Sequence, residues 1–360
     1  MQGPSRRTVL VGGLGLLAAG CTTPLSAPAP APAPAPGSVL TSSETPSPSP
    51  TPTHTPTSTP SATATVVPEW TFRAMTYNIL SGARPPSAFP RVRPVDLRFE
   101  NRLPVLAEWI NWARPDVLAI QENEPMRAPI RRPLHRLLPL LPGYRAVHAD
   151  TNIPILYRSA VFDLVASDIR TISTHRKKRF GAWCRLAHRN TGREILAANT
   201  HLLSGESAAS QRTRLKSLDV LTAWLRQVNP DPDVPLILLG DFNTYNDYNA
   251  DGRIAALAPL YRAGLRNSVD VADRHTTAVI GASSSNRFGA EVDGRWKFGA
   301  IRTGAHTLDY IWVDPAVSVR SWQVVTGPGV QEVDGAFFFA PGPLPSDHCP
   351  VLAELRLPLR

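Results

Sequence analysis

Six short polar motifs stand out because each follows an apolar stretch with the composition of a buried β-strand. In chain order they contain Asn78, Glu122, His201, the pair Asp241 and Asn243, Asp309, and the pair Asp347 and His348. A strand that ends in an acid delivers a carboxylate on a rigid support, as a metal site requires. One acid after a strand is commonplace, whereas six such endings in one chain indicate a single assembled site for a hard, oxygen-ligated cation.

The apolar pattern predicts the elements that carry these motifs. Strands are predicted at 70–79, 117–121, 153–158, 162–172, 182–188, 195–200, 236–239, 308–313, 317–325 and 351–357. Helices are predicted at 97–113, opening near Pro104, and at 211–228, where apolar residues recur at helical spacing. Strands outnumber helices and no repeat occurs, which fits two sheets covered by helices.

Three motifs carry a family resemblance. Gly-Asp-Phe-Asn at 240–243, Leu-Asp-Tyr-Ile at 308–311 and Ser-Asp-His at 346–348 resemble, in order and spacing, motifs of the endonuclease/exonuclease/phosphatase superfamily. That superfamily includes pancreatic-type deoxyribonuclease, bacterial sphingomyelinases and inositol polyphosphate phosphatases, and the resemblance covers nearly all of 70–360. It implies an α/β four-layer sandwich, in which two mostly antiparallel β-sheets lie face to face with helices on the outside. It also implies a metal-dependent phosphoesterase.

The resemblance implies a metal site and a group that activates water. Glu122 would be the main metal ligand, with Asn78 and Asp347 completing or flanking a site for Mg²⁺ or Mn²⁺, which take only one or two carboxylates. Asp241 would orient and deprotonate the attacking water. Asn243 comes two residues later and is expected on the same side of an extended segment, where it would hold that water or a phosphate oxygen.

Two histidines complete the implied set. His348 would contact the phosphate, with Asp309 hydrogen-bonded to the imidazole and favouring its charged form. His201 occupies the second histidine position of deoxyribonuclease- and sphingomyelinase-like members, as a phosphate contact or a leaving-group acid. Taken alone, His201 is more often a satisfied strand-end histidine, and Asp309 and Asn243 could cap turns. The catalytic interpretation of these residues depends on the presence of the other motifs in the same chain.

Two weaker features indicate further ligands. The segment 247–252 resembles the first half of a calcium loop and would add Ca²⁺ as a second ion, but its twelfth position is Ala258 rather than Glu. A solvated turn is the alternative. The basic run 175–179 favours contact with a polyanion, and a plain solvated loop fits it equally well.

The charge of the chain favours an anionic substrate. Beyond residue 68 it carries 36 basic and 28 acidic residues, a net charge of +8. Phosphodiesters are therefore favoured over monoesters, with nucleic acid slightly ahead of a phospholipid head group. The aromatic run 337–339 favours a sphingomyelinase- or phospholipase-C-like enzyme instead, because three adjacent aromatics of a strand cannot all point inwards and one could be exposed beside the site. Burial of the run on both sides, under a helix, is the commoner explanation. A non-catalytic surface binding lipoprotein of the same fold is a further alternative.

The N-terminal residues predict export and anchoring. Residues 5–10 resemble a twin-arginine signal, and the apolar stretch at 9–20 is too short to cross a bilayer as a helix, so 1–21 reads as a signal peptide. Residues 17–21 resemble a bacterial lipobox and predict lipidation of Cys21, with a plain secretory signal as the alternative. The protein would then be a membrane lipoprotein on the extracytoplasmic face.

The uneven distribution of proline divides the rest of the chain into a linker and a folded domain. Residues 22–68 contain 13 of the 37 prolines and predict a disordered linker, which leaves 69–360 as the catalytic domain. Cys184 and Cys349 form either a disulfide, as export permits, or two free thiols. Nothing in the sequence identifies a protein partner.

Overall fold

The computed structural model describes residues 69–81, 85–126, 132–175, 177–231, 233–304 and 307–358. The predicted signal peptide, the predicted lipidation residue Cys21 and the predicted linker at 22–68 lie outside the described residues. Arg176, in the basic run, lies outside them as well. Within the described part of the chain, no helix has both the length and the apolar character needed to span a bilayer.

The described chain contains sixteen strands and five α-helices. The strands are β1 (Glu69–Asn78), β2 (Val117–Gln121), β3 (Tyr144–Val147), β4 (Ile155–Arg158), β5 (Phe162–Ser173), β6 (Arg179–His188), β7 (Glu194–His201), β8 (Leu236–Asp241), β9 (Arg266–Asn267), β10 (Gly289–Val292), β11 (Arg295–Phe298), β12 (Asp309–Val313), β13 (Ser318–Val324), β14 (Gln331–Val333), β15 (Ala336–Phe338) and β16 (Val351–Pro358). The helices are α1 (Pro94–Leu97), α2 (Phe99–Ala113), α3 (Pro133–Leu137), α4 (Ala208–Val228) and α5 (Ala258–Arg262).

Twelve of these strands form two six-stranded sheets. The first sheet has the order β13-β16-β1-β2-β4-β3, and the second has the order β5-β6-β7-β8-β12-β9. The strands β10 with β11 and β14 with β15 form separate two-stranded ribbons. Most neighbouring strands are antiparallel, as the family resemblance implies.

Each sheet also contains one parallel pair, and these two pairs position the polar motifs. β1 and β2 are parallel with Asn78 opposite Gln121, and β7 and β8 are parallel with His201 opposite Asp241. The carboxyl ends of parallel neighbours lie at the same edge of a sheet. β12 runs antiparallel to β8 and therefore begins at that edge, with Asp309 opposite Asp241.

The hydrophobic core lies between the sheets and beneath the helices. Met75 of β1 and Leu239 of β8 belong to one buried cluster, so the sheets pack face to face. Leu238, the preceding residue of β8, belongs to a second cluster with Leu221 of α4, because successive side chains of a strand point to opposite faces. This arrangement confirms the predicted sandwich.

The structure corrects the start of both predicted helices and adds elements that the sequence did not reveal. α4 begins at Ala208, three residues before its predicted start. α2 begins at Phe99 and carries Pro104 in its interior rather than at its opening. A proline there removes a helical hydrogen bond, and burial of Leu106 and Ile110 on the same helix offsets that loss. The edge strand β3 and the two ribbons lack a long apolar run, which explains why they were not predicted.

Arg102 links α2 to two loops at the edge where the polar motifs lie. Its side chain is fully buried, and its Nη1 donates hydrogen bonds to the carbonyl oxygens of Ile79 at 2.9 Å and of Pro345 at 2.7 Å. Nη2 donates to the carbonyl of Leu80 at 2.9 Å, and Nε donates to that of Leu97 at 3.2 Å. One guanidinium therefore fixes the loop after β1 against the loop that precedes the Ser-Asp-His motif.

We expect Arg102→Met to lower the free energy of unfolding by about 3 kcal/mol or more, since buried carbonyl groups would lose a charged donor. Denaturant unfolding followed by circular dichroism measures this change. Arg98→Met is the matched control, because Arg98 is exposed just before α2, and it should change stability by about 0.5 kcal/mol at most. Equal unfolding midpoints for the two variants would contradict the linking role of Arg102.

Candidate active site

Asp241, the last residue of β8, lies at the centre of the candidate site. Its side chain is buried. Oδ2 accepts a hydrogen bond from Asn78 Nδ2 at 2.9 Å, and Oδ1 accepts one from the backbone N–H of Asn243 at 2.8 Å. Burial raises the pKa of Asp241 and the nearby Asp309 raises it further, whereas two neighbouring imidazoles and the bond from Asn78 oppose that rise. Because Asn78 belongs to the first sheet, this hydrogen bond joins the two sheets.

His201, the last residue of β7, lies beside Asp241. Its Nε2 is 3.4 Å from Asp241 Oδ2, and the ring is buried. Burial lowers the pKa of His201 to about 4, although the charge of Asp241 opposes this shift. The ring is therefore neutral at pH 7, so its contact with Asp241 is not an ion pair. His201 Nδ1 is buried without a hydrogen-bond partner among the described residues.

His348 is charged, unlike His201. Its Nδ1 lies 2.8 Å from Asp309 Oδ2, and both side chains are buried. Burial by itself lowers the pKa of His348. The charge and hydrogen bond of Asp309, with the charges of Asp347 and Asp241, nevertheless raise it well above the ordinary value. The ring is therefore an imidazolium at neutral pH, which agrees with the contact predicted between Asp309 and His348.

Glu122 and Asp347 lie at the same edge. Glu122 follows β2 in a left-handed backbone conformation, with φ of +62°. Its Oε2 accepts a hydrogen bond from the backbone N–H of Ser81 at 2.9 Å, and its Oε1 lies 3.4 Å from Asn78 Nδ2. Ser346 Oγ donates to the carbonyl oxygen of Asn78 at 2.7 Å and so ties the loop that carries Asp347 to the end of β1.

The prediction that Asn243 lies in an extended segment is wrong. Its φ is +49°, in the left-handed region that asparagine adopts more readily than most residues. Asn243 Nδ2 donates to the carbonyl oxygen of Leu202 at 3.0 Å, which closes the turn against the end of β7. The side chain still reaches the wall of the pocket that contains Asp241.

This pocket, of about 450 Å³, is lined by most of the predicted residues. The predicted residues in its wall are Glu122, His201, Asp241, Asn243, Asp347 and His348. Asn78 and Asp309 lie behind them, in contact with Asp241 and His348. The structure therefore brings all eight predicted site residues of the folded region together.

Two cations of the basic run also line the pocket. Lys177 is exposed and forms an ion pair with Glu124, whereas Arg179, the first residue of β6, is buried. The run is therefore not simply a solvated loop. The sequence did not single out Arg179 as a site residue, although the basic run that contains it indicated contact with a polyanion.

The donor set fits a hard divalent cation. Asp309 Oδ1 is buried and has no hydrogen-bond partner in the described part of the chain, so it retains the cost of lost hydration. Asp241, Asp309 and His348 each offer a ligand atom within 4.8 Å of one another and could hold an ion. A charged imidazole cannot ligate a metal, however, so protonation of His348 favours the carboxylates Glu122 and Asp347 as ligands.

The calcium-loop-like segment and the aromatic run both lie outside the wall of the pocket that contains Asp241. The segment 247–252 forms an exposed turn closed on itself, with the backbone N–H of Arg253 donating to Asn249 Oδ1 at 2.9 Å, as the solvated-turn alternative predicts. Of the aromatic run, Phe339 is buried, Phe337 and Phe338 are half-buried, and none lines the pocket beside Asp241.

Cys184 and Cys349 are both buried free thiols. Burial raises the pKa of Cys349 to about 12, despite the hydrogen bond from Asn286. Both cysteines therefore remain protonated at neutral pH and act as apolar core groups.

The chain matches one protein-family model. That model describes the Endonuclease/Exonuclease/phosphatase family and aligns with residues 75–348, which include the eight site residues. No curated protein sequence matches the chain.

Solved structures show the same fold. An endonuclease/exonuclease/phosphatase family protein from Bacteroides thetaiotaomicron has a TM-score of 0.61 and 20% identity, over 81% of this chain and 96% of the other. A mannosyl-6-phosphatase from the same organism has a TM-score of 0.59 and 21% identity, over 79% and 99%. TDP2 of D. rerio, complexed with single-strand DNA product, has a TM-score of 0.52 and 15% identity, over 79% and 98%.

The pair formed by Asp309 and His348 generates a prediction about charge. In Asp309→Asn the imidazole loses its carboxylate partner, so the pKa of His348 should fall towards or below about 6.5, the value of a free imidazole. Titration of the ring C–H signals by NMR, in chelator, measures this pKa. Asp168→Asn, on the exposed face of β5, is the control and should leave it unchanged.

The same pair predicts a pH dependence of stability. Because the folded-state pKa of His348 is raised, the pair stabilises the wild type fully below pH about 6.5 and loses that contribution as pH rises through the folded-state pKa. Asp309→Asn should lose this dependence. An unchanged pKa of His348 in Asp309→Asn would contradict the assignment.

Proposed function

This chain belongs to the Endonuclease/Exonuclease/phosphatase family, and we propose that it is a divalent-metal-dependent phosphoesterase that hydrolyses phosphodiester bonds. The observation that carries this proposal is the buried carboxylate of Asp241, fixed by Asn78 from the opposite sheet and adjacent to His201. The pocket around it is lined by the cations Lys177, Arg179 and Arg287 as well as by carboxylates. Such an acid can take a proton from water while nearby positive charge stabilises the phosphoryl oxygens.

The charge states of the site assign the proton transfers. Asp241 accepts the proton of the attacking water, and the bond from Asn78 holds its carboxylate in one orientation. His348, kept charged by Asp309, stabilises the negative charge that develops on the phosphoryl oxygens and can supply a proton to the leaving oxygen. His201 is neutral, so a phosphate contact suits it better than the role of leaving-group acid.

Glu122, Asp347 and Asn78 would hold the metal ion, and Mg²⁺ or Mn²⁺ suits their oxygen ligands. When bound, such an ion withdraws negative charge from the phosphoryl group and lowers the pKa of a bound water. The protein residues contribute the orientation of the substrate. Arg179 and Lys177 attract the anionic phosphate, and Asn243 lines its path into the pocket.

Nucleic acid is the substrate class that we favour. The net charge of +8 and the cations of the pocket attract a polyanion, and no member of the aromatic run 337–339 lines that pocket. The run is therefore not the aromatic group by which a head-group hydrolase would enter a lipid surface beside the site, although the half-buried Phe89 does line the pocket. The mannosyl-6-phosphatase and the TDP2 complex share the fold but differ in substrate, so the fold itself does not choose between them.

We further propose that the protein is exported and acts from the membrane. The twin-arginine-like segment at 5–10 would direct export, and the lipobox-like segment would lead to acylation of Cys21. The linker at 22–68 would then separate the enzyme from the bilayer. A surface enzyme of this kind would meet extracellular nucleic acid or phospholipid.

Metal dependence tests the proposed activity. Cleavage of a single-stranded oligonucleotide by the full-length protein in detergent should require Mg²⁺ or Mn²⁺ and stop in excess chelator. Glu122→Gln should lower kcat/KM on the order of 10²-fold, because the main metal ligand is lost. The exposed Glu108→Gln on α2 is the matched control and should cleave normally.

Two results would contradict this proposal. Turnover that persists in chelator would exclude a metal-dependent reaction. Release of phosphocholine from sphingomyelin vesicles, without cleavage of DNA or RNA at low salt, would replace nucleic acid by a lipid head group.

Cys21→Ala tests the anchoring. The variant should leave the membrane fraction or accumulate as an unprocessed precursor, because firm anchoring requires acyl chains on that residue. Fractionation of cells and immunodetection measure this change, with Cys184→Ala as a control that keeps the proposed lipidation residue. Membrane retention of correctly processed Cys21→Ala protein would refute lipidation.

A further inference from the structure

The catalytic pocket continues into cavities on two sides. One cavity, of about 750 Å³, shares Ser204, Asn243, Leu308 and Arg287 with it and is called here the Tyr245 cavity. The other, of about 570 Å³, shares Ala88, Phe89 and Arg287 with the pocket and is called here the Trp296 cavity. Arg287 therefore lies where all three spaces meet.

The charges of the two cavities differ. The Tyr245 cavity is balanced, with the cations Arg214 and Arg287 against the carboxylates Glu206 and Asp247. The Trp296 cavity is cationic, with Arg91, Arg287 and Arg302 against the single carboxylate of Glu291 among its lining residues. A negatively charged part of a substrate is therefore attracted to the Trp296 side, whereas the Tyr245 side suits a neutral polar part.

Within the described part of the chain, neither the Arg287 nor the Arg302 side chain forms an ion pair. Arg287 Nη2 donates to the hydroxyl of Tyr245 at 3.2 Å, and Arg302 Nη1 donates to the carbonyl of Ser285 at 3.3 Å. Burial lowers the pKa of Arg302 and the charge of Arg287 lowers it further, so each charge acts unfavourably on the other. An anion between them would relieve this repulsion.

Both arginines are held at a fixed position relative to the catalytic residues. The backbone N–H of Arg287 donates to the carbonyl oxygen of Asp347 at 2.9 Å, and Arg287 adopts a left-handed conformation with φ of +50°. Ser285, which accepts from Arg302, pairs with His348 in an isolated β-bridge. A group bound by this pair would therefore have a defined distance from the phosphate that is hydrolysed.

Two aromatic side chains form apolar walls of the Trp296 cavity. Phe89 packs edge-on against the buried Phe288, with ring centroids 5.2 Å apart. Trp296 of β11 packs over Gly289 of β10, where an added Cβ would lie 2.8 Å from the indole ring. Cations beside aromatic walls suit a phosphate that carries a flat organic group.

We propose that the Trp296 cavity binds a second anionic group of the substrate, the phosphate next to the one that is hydrolysed, through Arg287 and Arg302. This inference rests on the proposed function and narrows it, since a chain of linked phosphodiesters presents such a neighbour at every internal bond, whereas an isolated diester has none. The planar guanidinium groups suit two-pronged hydrogen bonding to phosphate oxygens. The substrate is then a polynucleotide strand rather than an isolated diester.

Two thymidine tetranucleotides test this subsite. In one, all three linkages are charged diesters, and in the other both outer linkages are neutral methylphosphonates, so that the central bond keeps a charged neighbour only in the first. Cleavage of the central bond is measured for both, as kcat/KM. The wild type should prefer the charged tetranucleotide by about tenfold, the scale of one charge-assisted hydrogen bond.

The variant Arg287→Gln/Arg302→Gln should reduce that preference to nearly one, and Arg287→Lys/Arg302→Lys should restore part of it. Arg145→Gln is the matched control, because Arg145 is exposed on the edge strand β3 and lines none of these cavities. A purely structural effect would slow both substrates equally and leave their ratio unchanged. That result, or a wild type without any preference, would overturn the proposal.

Binding in chelator separates this proposal from the proposed function. If the wild type cleaves neither tetranucleotide, the phosphodiesterase activity is wrong, and fluorescence anisotropy with the dye-labelled charged tetranucleotide still tests the subsite. The glutamine double variant should then bind about tenfold more weakly than the wild type or Arg145→Gln. Equal affinities would overturn the subsite independently of any activity.

Discussion

The hydrogen bond from Asn78 Nδ2 to Asp241 Oδ2 joins the two sheets inside the site, and the chemistry of the site depends on it. A buried carboxylate loses its hydration and must be compensated by donors or by opposite charge. The opposite sheet provides the side-chain donor, and the turn at Asn243 provides a backbone donor. The sandwich therefore positions and stabilises a buried acid that neither sheet would hold alone.

The parallel pair in each sheet makes this meeting possible. β1 with β2 and β7 with β8 each end at one edge, and the two sheets face each other, so four strand ends meet around one pocket. Local charge then differentiates two similar histidines. Burial keeps His201 neutral despite the nearby charge of Asp241, whereas His348 has Asp309 as a partner and stays charged. Because one imidazole is neutral and the other is charged, the two histidines can have different roles towards one phosphate.

The motif residues could be predicted from the sequence because each lies next to an apolar strand that is recognisable by composition. The expectation that every motif follows a strand is wrong, however, since Asp309 opens β12 and the pair Asp347 and His348 precedes β16. The strands that carry them were predicted for the same reason. Residues whose roles depend on distant contacts were not predictable. In the sequence Arg102 is simply one polar residue of a predicted helix, yet it contacts a carbonyl group 243 positions away in the chain. The left-handed backbone conformations of Glu122 and Asn243 were not predicted either, because no glycine stands at these positions to indicate a positive φ.

Asp241 is proposed to activate the attacking water in a site that two sheets assemble. The single-turnover rate of oligonucleotide cleavage by Asp241→Asn at saturating Mg²⁺ tests this role. Asparagine keeps the size of the side chain but cannot accept the proton, so the rate should fall on the order of 10²-fold or more. Substrate affinity in chelator and the circular dichroism spectrum should change little. An Asp241→Asn protein that cleaves at the wild-type rate would show that Asp241 does not activate the attacking water.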